Sequence, residues 1–349
     1  MKGKINHIAV IRFSALGDVA MTVPVINAFS KQHPQVRIIV VSRPFFKPMF
    51  AGLANVTFFE ADLSGKNKGF LGLHRLYKEL KRDNIDGVAD LHNVLRSKII
   101  SSFFSIGGIK TATVDKARAE KKALVRVENK IFQPLKPITQ RYADVFGDLG
   151  FPLNLDDQAL LPKREISAET LNITGIKSGN WIGIAPFAKH EGKVYPAELM
   201  QQTINYLSET GRFKIFLFGA GKYESGQLDA FAQGKSNVIN IAGRLSFSEE
   251  LSLISNLDAM LSMDSGNAHL AAMFGVQTVT LWGSTHPYAG FAPFLQPDEN
   301  AMVSDREKFP NLPTSIYGNK KVEGYEDAMK TISPESVAEK IRNVLKNLN

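Results

Sequence analysis

The sequence contains no cysteine among its 349 residues. Disulfide bonds, thiolate nucleophiles and thiolate metal sites are therefore excluded, and the composition fits a reducing compartment. The seven histidines show no ligand spacing such as His-x-x-x-His, and no carboxylate cluster resembles a cation-binding loop. We therefore expect no bound metal and no resident cofactor.

Long uninterrupted apolar runs are also missing. The stretch 265–297 carries no Asp, Glu, Lys or Arg, but glycines and prolines divide it into pieces far shorter than the ~20 residues of a membrane-spanning helix. Near the start, Arg12 and Asp18 interrupt the apolar segment after Lys2 and Lys4 too early for a signal peptide. We therefore expect a cytoplasmic protein. Basic and aromatic residues form no known nucleic-acid-binding module, so no nucleic acid partner is expected.

The composition is that of a folded globular protein, with 44% hydrophobic and 22% charged residues. A chain of this length exceeds what one hydrophobic core serves, so two domains are expected. The surplus of 42 basic over 34 acidic residues indicates an anionic partner. The densest basic cluster comprises Lys110, Lys116, Arg118, Lys121, Lys122, Arg126 and Lys130. Its charge fits either a solvated surface or docking to acidic lipid head groups.

Short β-branched runs alternate with segments of helical spacing, which predicts an α/β fold with parallel sheets and crossover helices. The predicted strands are 7–13, 37–41, 86–90, 181–185, 214–218, 238–241, 259–262 and 278–282. We predict two doubly wound domains, 1–160 and 175–330, joined by a linker within 151–180. A terminal helix over 333–349 begins with Ser333 as its cap and Pro334 in its first turn, and we expect it to pack on the N-terminal domain.

The first strand leads into Ser14-Ala15-Leu16-Gly17-Asp18, a glycine turn followed by a carboxylate at the start of a helix. Asp18 has two interpretations: a cap that complements the helix dipole, or a general base that takes a proton from a hydroxyl. The turn lacks the Gly-x-Gly-x-x-Gly pattern, which disfavours a nicotinamide dehydrogenase. Ligands of such sheets bind beyond the carboxyl ends of the strands, so we expect the active site in the crevice between the domains.

A second polar segment, Asp264-Ser265-Gly266-Asn267-Ala268-His269, follows a buried strand and opens a helix predicted over 270–274. The free N–H groups at a helix start suit a pyrophosphate, Gly266 allows close approach, and Ser265 and His269 add donors. The alternative makes Asp264 and Ser265 helix caps and His269 a buried structural residue.

Two further polar residues follow strands in the C-terminal half. Lys193 lies in a loop whose position suits a cation facing leaving-group phosphates, although a lone loop lysine also fits a surface position. Glu224, in Gly219-Ala220-Gly221-Lys222-Tyr223-Glu224, is placed to accept hydrogen bonds from ribose hydroxyls. That segment lacks the glycine and Gly-Lys-Ser/Thr spacing of a phosphate-binding P-loop.

Four blocks in order, "IRFSALGDVAMTVPVINAF", "GKVYP", "FGAGKYE" and "MDSGNAHLAAMFGVQTVTLWGSTHP", resemble the heptosyltransferases of glycosyltransferase family 9. The resemblance spans nearly the whole chain. It implies the GT-B fold, in which two Rossmann-like domains face a cleft, with the acceptor in the N-terminal half and the nucleotide donor in the C-terminal half.

The resemblance also implies roles for individual residues. It makes Asp18 the catalytic base, Lys193 the residue that stabilises donor phosphates, and Asp264 a contact to the transferred sugar. The implied donor site further includes Ser265, Gly266, His269, Glu224 and the backbone around Leu245. The implied acceptor site includes Ser14, Gly17, Asp90, Asn93 and Arg96.

The function implied by the resemblance is metal-independent, inverting transfer of heptose from ADP-heptose to a lipopolysaccharide inner-core or lipid A precursor. Such an acceptor implies peripheral contact with the cytoplasmic face of the inner membrane. The chain has Phe187 and Ala188 where the family often has hydroxyl residues, and Tyr195 where it often has tryptophan, which leaves the donor sugar open. A transferase for another nucleotide sugar and a non-catalytic sugar-nucleotide binding module remain alternatives.

Overall fold

The computed structural model describes residues 5–347. Lys2, Lys4 and the outer ends of the predicted first domain and terminal helix lie outside the described residues. Within the described residues, the first compact unit comprises 5–116 and 136–161, and the second comprises 117–135 and 162–347. No helix in this part of the chain is long and apolar enough to cross a membrane.

The first unit contains a parallel sheet of five strands in the order β3-β2-β1-β4-β5. Its strands are β1 (His7–Ile11), β2 (Arg37–Ser42), β3 (Val56–Glu60), β4 (Gly87–Asp90) and β5 (Lys110–Thr113). Its α-helices are α1 (Leu16–Ala20), α2 (Thr22–Gln32), α3 (Gly69–Lys81), α4 (Leu95–Ile106) and α6 (Ile138–Leu149). The core lies between sheet and helices, where the strand residues Ile11, Val41 and Val88 pack with Leu76 of α3 and Phe104 of α4.

The second unit contains a parallel sheet of six strands in the order β11-β10-β9-β6-β7-β8. Its strands are β6 (Asn180–Ala185), β7 (Phe213–Leu217), β8 (Val238–Asn240), β9 (Ala259–Met263), β10 (Gln277–Trp282) and β11 (Ala301–Val303). Its α-helices are α5 (Arg118–Val125), α7 (Ala168–Thr174), α8 (Ala197–Ser208), α9 (Gly221–Ala232), α10 (Phe247–Ser255), α11 (Gly266–Ala272) and α12 (Pro334–Lys346).

The predicted strands are found in the structure with small shifts at their ends, and the prediction of two doubly wound parallel sheets is confirmed. Three strands that the sequence did not indicate, β3, β5 and β11, lie at sheet edges and are partly exposed. An edge strand needs no continuous apolar run, so its sequence signal is weak. The predicted linker also contains α7, which begins where Ser167 accepts a hydrogen bond from the Thr170 N–H.

The terminal helix α12 differs from the prediction in its location. It packs against α8, β9 and β10 of the second unit, whereas the prediction placed it on the N-terminal domain. Val337, Ile341 and Leu345 are buried in the core that these elements share. Their spacing places them on one face of the helix, which explains why the helix itself was predictable while its docking partner was not.

The segment 117–135 belongs to the second unit, although the prediction placed it in the N-terminal domain. The Lys130 Nζ donates to the carbonyl oxygens of Leu124, Asn311 and Pro313 at 3.2, 2.8 and 2.8 Å. Lys121 is buried, with its Nζ 4.1 Å from the Phe291 ring centroid. Two cations of the predicted basic cluster are thus used in packing, so the cluster is not one continuous solvent-facing surface.

Candidate active site

The polar residues after β1 form a compact arrangement around Asp18 at the carboxyl edge of the first sheet. Asp18 lies in the short helix α1. Its Oδ2 accepts from the Ala15 N–H at 3.1 Å and lies 2.8 Å from the Arg12 Nη2. The Asp18 side chain is 33% exposed, whereas that of Arg12 is 8% exposed. Asp18 therefore caps its helix and is partly accessible to solvent, so both of its predicted interpretations remain consistent with its position.

Arg12 orients the turn that carries Asp18. Its Nε donates to the Ser14 carbonyl at 2.8 Å, and its Nη1 donates to the Leu91 carbonyl at 2.7 Å. Burial lowers the pKa of Arg12, but the nearby Tyr142 and Asp18 more than compensate, so the pKa lies above its ordinary value. A fixed cation thus holds both the backbone and the carboxylate of this turn. This role was not predicted, because in the sequence Arg12 stands out only as a break in an apolar run.

The residues predicted for acceptor binding after β4 are largely engaged in their own turn. Asp90 is fully buried and accepts from the backbone N–H groups of His92 and Asn93 at 2.9 and 2.8 Å and from the Ser97 hydroxyl at 2.9 Å. Burial raises the pKa of Asp90. The Asn93 Nδ2 donates to the Val114 carbonyl at 2.7 Å. Of the predicted group, Arg96 is exposed in the first turn of α4, so it is the member most accessible to a ligand.

His92 is a second residue that sequence reasoning missed. Its Nδ1 accepts from the Phe13 N–H at 3.4 Å, and its ring meets that of Phe13 edge to face. Burial, assisted by the charges of Arg12 and Lys116, lowers the pKa of His92 to about 3. His92 is therefore neutral at physiological pH. Its position directly after the strand end at Asp90 is the signal that could have identified it.

In the second unit, the structure brings together two residues that were predicted separately. Asp264 follows β9, and Lys193 ends a short 3-10 turn after β6. The Lys193 Nζ lies 2.7 Å from the Asp264 Oδ2 and donates to the Asp264 carbonyl at 3.1 Å. The side chains are 15% and 5% exposed, respectively. This is a shielded ion pair, in which each charge acts strongly on its surroundings.

The helix α11 begins directly after this pair. It runs over Gly266–Ala272 and so starts four residues before the predicted helix, with Ser265 as its N-cap. The Ser265 hydroxyl lies 3.1 Å from that of Ser262, and His269 is buried one turn into the helix. The N–H groups of the first turn thus lie beside the lysine, which is an arrangement suited to an anion.

Glu224 and Leu245 follow two neighbouring strands of the second sheet, β7 and β8. Glu224 lies in the first turn of α9, where its Oε2 accepts from the Ala220 N–H at 2.7 Å. Leu245 lies in the loop between β8 and α10. Beside that loop is an open cavity of about 460 Å³ lined by Ser225, Asp229, Ala232, Val238, Ile239, Asn240, Ala242 and Arg244. The volume falls within the range of small-molecule pockets.

Residues 5–347 contain no group of three or more His, Asp or Glu side chains placed to hold a metal ion. Beside Asp264, the Lys193 ammonium and the first-turn N–H groups of α11 are groups that can act on an anion.

Two parallel α/β units with polar residues at the carboxyl ends of their strands form the GT-B fold, the class of fold seen in the structural neighbours. The chain belongs to glycosyltransferase family 9 (heptosyltransferase), whose family model matches residues 73–319. The resemblance found in the sequence is thereby confirmed. Asp18 lies before the matched range.

Known relatives support the same assignment over most of the chain. The lipopolysaccharide core heptosyltransferase OpsX of Haemophilus influenzae is 23% identical, and the alignment covers 81% of this chain and 80% of that protein. A glycosyl transferase family 9 structure from Veillonella parvula superimposes with a TM-score of 0.75 at 19% identity, covering 99% of both chains. The E. coli ADP-heptose lipopolysaccharide heptosyltransferase II structure gives a TM-score of 0.68 at 21% identity, covering 98% and 99%.

Proposed function

We propose that this chain transfers heptose from ADP-heptose to a lipopolysaccharide inner-core or lipid A precursor, with inversion at the anomeric carbon. The observation that carries the proposal is the shielded Lys193–Asp264 pair beside the start of α11. An ammonium group and free N–H groups together suit the diphosphate of a nucleotide sugar. Heptose as the sugar is supported by relatives named as lipopolysaccharide heptosyltransferases.

The proposed reaction is a direct displacement. Asp18 takes the proton of an acceptor hydroxyl as that oxygen forms a bond to the anomeric carbon. The bond between the anomeric carbon and the β-phosphate oxygen breaks, and its electron pair leaves with ADP. Negative charge therefore grows on the β-phosphate, where Lys193 and the N–H groups of α11 stabilise it. No covalent intermediate with the protein is required.

The remaining donor contacts are proposed around this centre. Asp264 contacts the transferred sugar, while Ser265, Gly266 and His269 surround the diphosphate. Further along the sheet, Glu224 accepts from the ribose and the backbone near Leu245 meets the adenine, beside the cavity that runs along β8. On the first unit, Ser14, Gly17, Asp90, Asn93 and Arg96 are proposed to form the acceptor side. Among these five, the exposed Arg96 is placed to meet an anionic group of the acceptor.

Treatment with EDTA is expected to leave the transfer rate unchanged. The physical reason is that the protein's own cation and N–H groups stabilise the leaving diphosphate in this mechanism, which is the task that a divalent ion performs in other enzymes. Initial rates measured with EDTA, and with added Mg²⁺, test this expectation. Loss of activity on chelation that Mg²⁺ or another divalent ion restores would contradict it.

The choice of donor is tested by offering ADP-heptose and other ADP-, UDP- and GDP-linked sugars together with heptose-deficient lipopolysaccharide. Release of free nucleotide is then measured with each donor. We expect acceptor-dependent release with ADP-heptose. Release with a different donor would favour a related transferase, and ADP binding without release from any donor would favour a non-catalytic binding module.

We further propose that the carboxyl edge of the first sheet contacts an anionic membrane surface. Large apolar side chains are exposed in the segments that follow three strands, at Phe45 after β2, at Phe70 and Leu71 in the first turn of α3, and at Leu95 at the start of α4. Exposed cations accompany them at Arg43, Lys68, Arg96 and Lys98. Apolar and basic side chains together are typical of surfaces that bind acidic lipid interfaces.

The variant L71S/L95S is expected to lose most of its binding to vesicles that contain phosphatidylglycerol, as measured by co-sedimentation. The matched control is Ile106→Ser, which removes an apolar side chain that is 85% exposed at the opposite end of α4. The control is expected to bind like the unmodified protein. Equal losses in both variants, or no binding by the unmodified protein, would refute this surface.

A further inference from the structure

We propose that Thr285 is a positioning residue that holds the Lys193–Asp264 pair in the geometry needed by the departing diphosphate. This inference rests on the proposed function. The Thr285 Oγ1 donates to the Asp264 Oδ2 at 2.9 Å, and that oxygen is also the one that lies 2.7 Å from the Lys193 Nζ. Thr285 is 2% exposed, so its hydroxyl is shielded from water.

The hydroxyl of Thr285 fixes the orientation of the Asp264 carboxylate. A carboxylate can rotate about its terminal torsion, which is broad, unless hydrogen bonds restrain it. One oxygen of Asp264 receives both the hydroxyl and the ammonium group, and the lysine also reaches the carbonyl of the same residue. The position of the ammonium group therefore depends on the orientation that Thr285 sets.

The loop that carries Thr285 is itself attached to the loop that carries Lys193. The backbone N–H and the hydroxyl of Ser284 both donate to the Gly192 carbonyl at 2.9 Å. The Ser284 carbonyl in turn accepts from the N–H groups of Thr314 and Ser315 at 3.0 and 3.1 Å. Ser284, the residue before Thr285, is thus hydrogen-bonded to Gly192, the residue before Lys193. These hydrogen bonds hold the two loops at a fixed distance.

Gly318 encloses the aliphatic part of the lysine. Its φ of +75° is one that side-chain-bearing residues rarely adopt, and a Cβ at this position would lie 2.5 Å from the Lys193 Cγ. The lysine stem therefore packs against bare backbone, while its ammonium group is held by Asp264. Little freedom remains for Lys193 except at its charged end.

The hydrogen bond from Thr285 to Asp264 contributes more to stability as ADP leaves. As charge grows on the β-phosphate, the Lys193 ammonium turns towards it and shares less of its charge with Asp264. The Asp264 carboxylate, which is 5% exposed, then depends on the Thr285 hydroxyl for a donor. Burying a carboxylate without hydrogen-bond donors costs free energy. Removing the Thr285 hydroxyl therefore destabilises the state in which the Lys193 ammonium interacts with the phosphate.

The test compares Thr285→Val, which keeps the shape and removes the donor, with Thr285→Ser, which keeps the donor. We expect Thr285→Val to lower kcat by about 10- to 100-fold, the range for losing a hydrogen bond to a charged group. The Kd for ADP should rise, because ADP is the leaving group, while the donor KM changes by less than about three-fold. Thr285→Ser should stay close to the unmodified protein. Thr285→Ala provides the same comparison if the valine variant does not fold.

A double-mutant cycle with Asp264→Asn separates positioning from general stability. If Thr285 acts through Asp264, Thr285→Val should have little further effect on the Kd for ADP once Asp264 is asparagine. An equal loss in both backgrounds, or a Thr285→Ser variant as impaired as Thr285→Val, would overturn the inference. ADP binding is measured without transfer. The cycle therefore tests the role of Thr285 even if ADP-heptose is not the donor, and that result would contradict only the proposed function.

Discussion

Replacing Asp18 with asparagine is expected to lower the transfer rate by about 10²- to 10⁴-fold, the usual contribution of a general base. Asparagine keeps the shape of the side chain and an oxygen that can accept from Arg12 and the Ala15 N–H. It cannot take the proton of the attacking hydroxyl, so the loss should fall on kcat. The Kd for ADP should be unchanged, because the proposed donor contacts lie in the second unit.

The matched control is Asp144→Asn, which removes a carboxylate of the same unit that lies 2.6 Å from the Lys136 Nζ and is 43% exposed. This control should transfer at the normal rate. Thermal unfolding of both variants excludes loss of structure as the cause of any defect. A rate like that of the unmodified protein in Asp18→Asn would remove Asp18 from the mechanism and leave it as a helix cap.

Replacing Lys193 with methionine is expected to lower kcat by about 10²- to 10³-fold, the effect of deleting one preorganised group that stabilises transition-state charge. Methionine retains an unbranched stem that can pack against Gly318 but carries no charge. The Kd for ADP should also rise. Lys189→Met is the control, because Lys189 is an exposed lysine of the same loop.

The change at Lys193 also removes the cation that pairs with the shielded Asp264 carboxylate. Breaking a buried ion pair from one side costs about 3–5 kcal/mol of stability, so unfolding must be measured alongside activity. The double variant K193M/D264N removes both charges and should recover stability without recovering transfer. Recovery of transfer in the double variant would show that Lys193 serves only to neutralise Asp264.

Some residues of the candidate site were predictable because of their place in the chain relative to buried strands. Asp18 and Asp264 each follow a buried strand, and in parallel sheets such positions lie at the edge where ligands bind. The pairing of Lys193 with Asp264 was not predictable, since the residues are 71 positions apart and their loops come together only in the folded sheet. Thr285 lay within a segment that resembled the family, but a lone threonine after a strand carries no local signal.

The errors of the prediction have two physical causes. The edge strands β3, β5 and β11 were missed because partly exposed strands lack a continuous apolar run. The segment 117–135 was placed in the wrong unit because chain order predicted its location, while contacts such as those of Lys130 with distant carbonyl groups decided it. Local patterns thus indicate which elements form, but tertiary contacts determine where they pack.

The most direct test of the proposed function is mass spectrometry of heptose-deficient lipopolysaccharide after incubation with ADP-heptose and this protein. We predict a mass increase of one heptose on the acceptor, accompanied by release of ADP and absent with the Asp18→Asn variant. An unchanged acceptor mass with a folded protein that binds ADP would contradict heptose transfer to lipopolysaccharide by this chain.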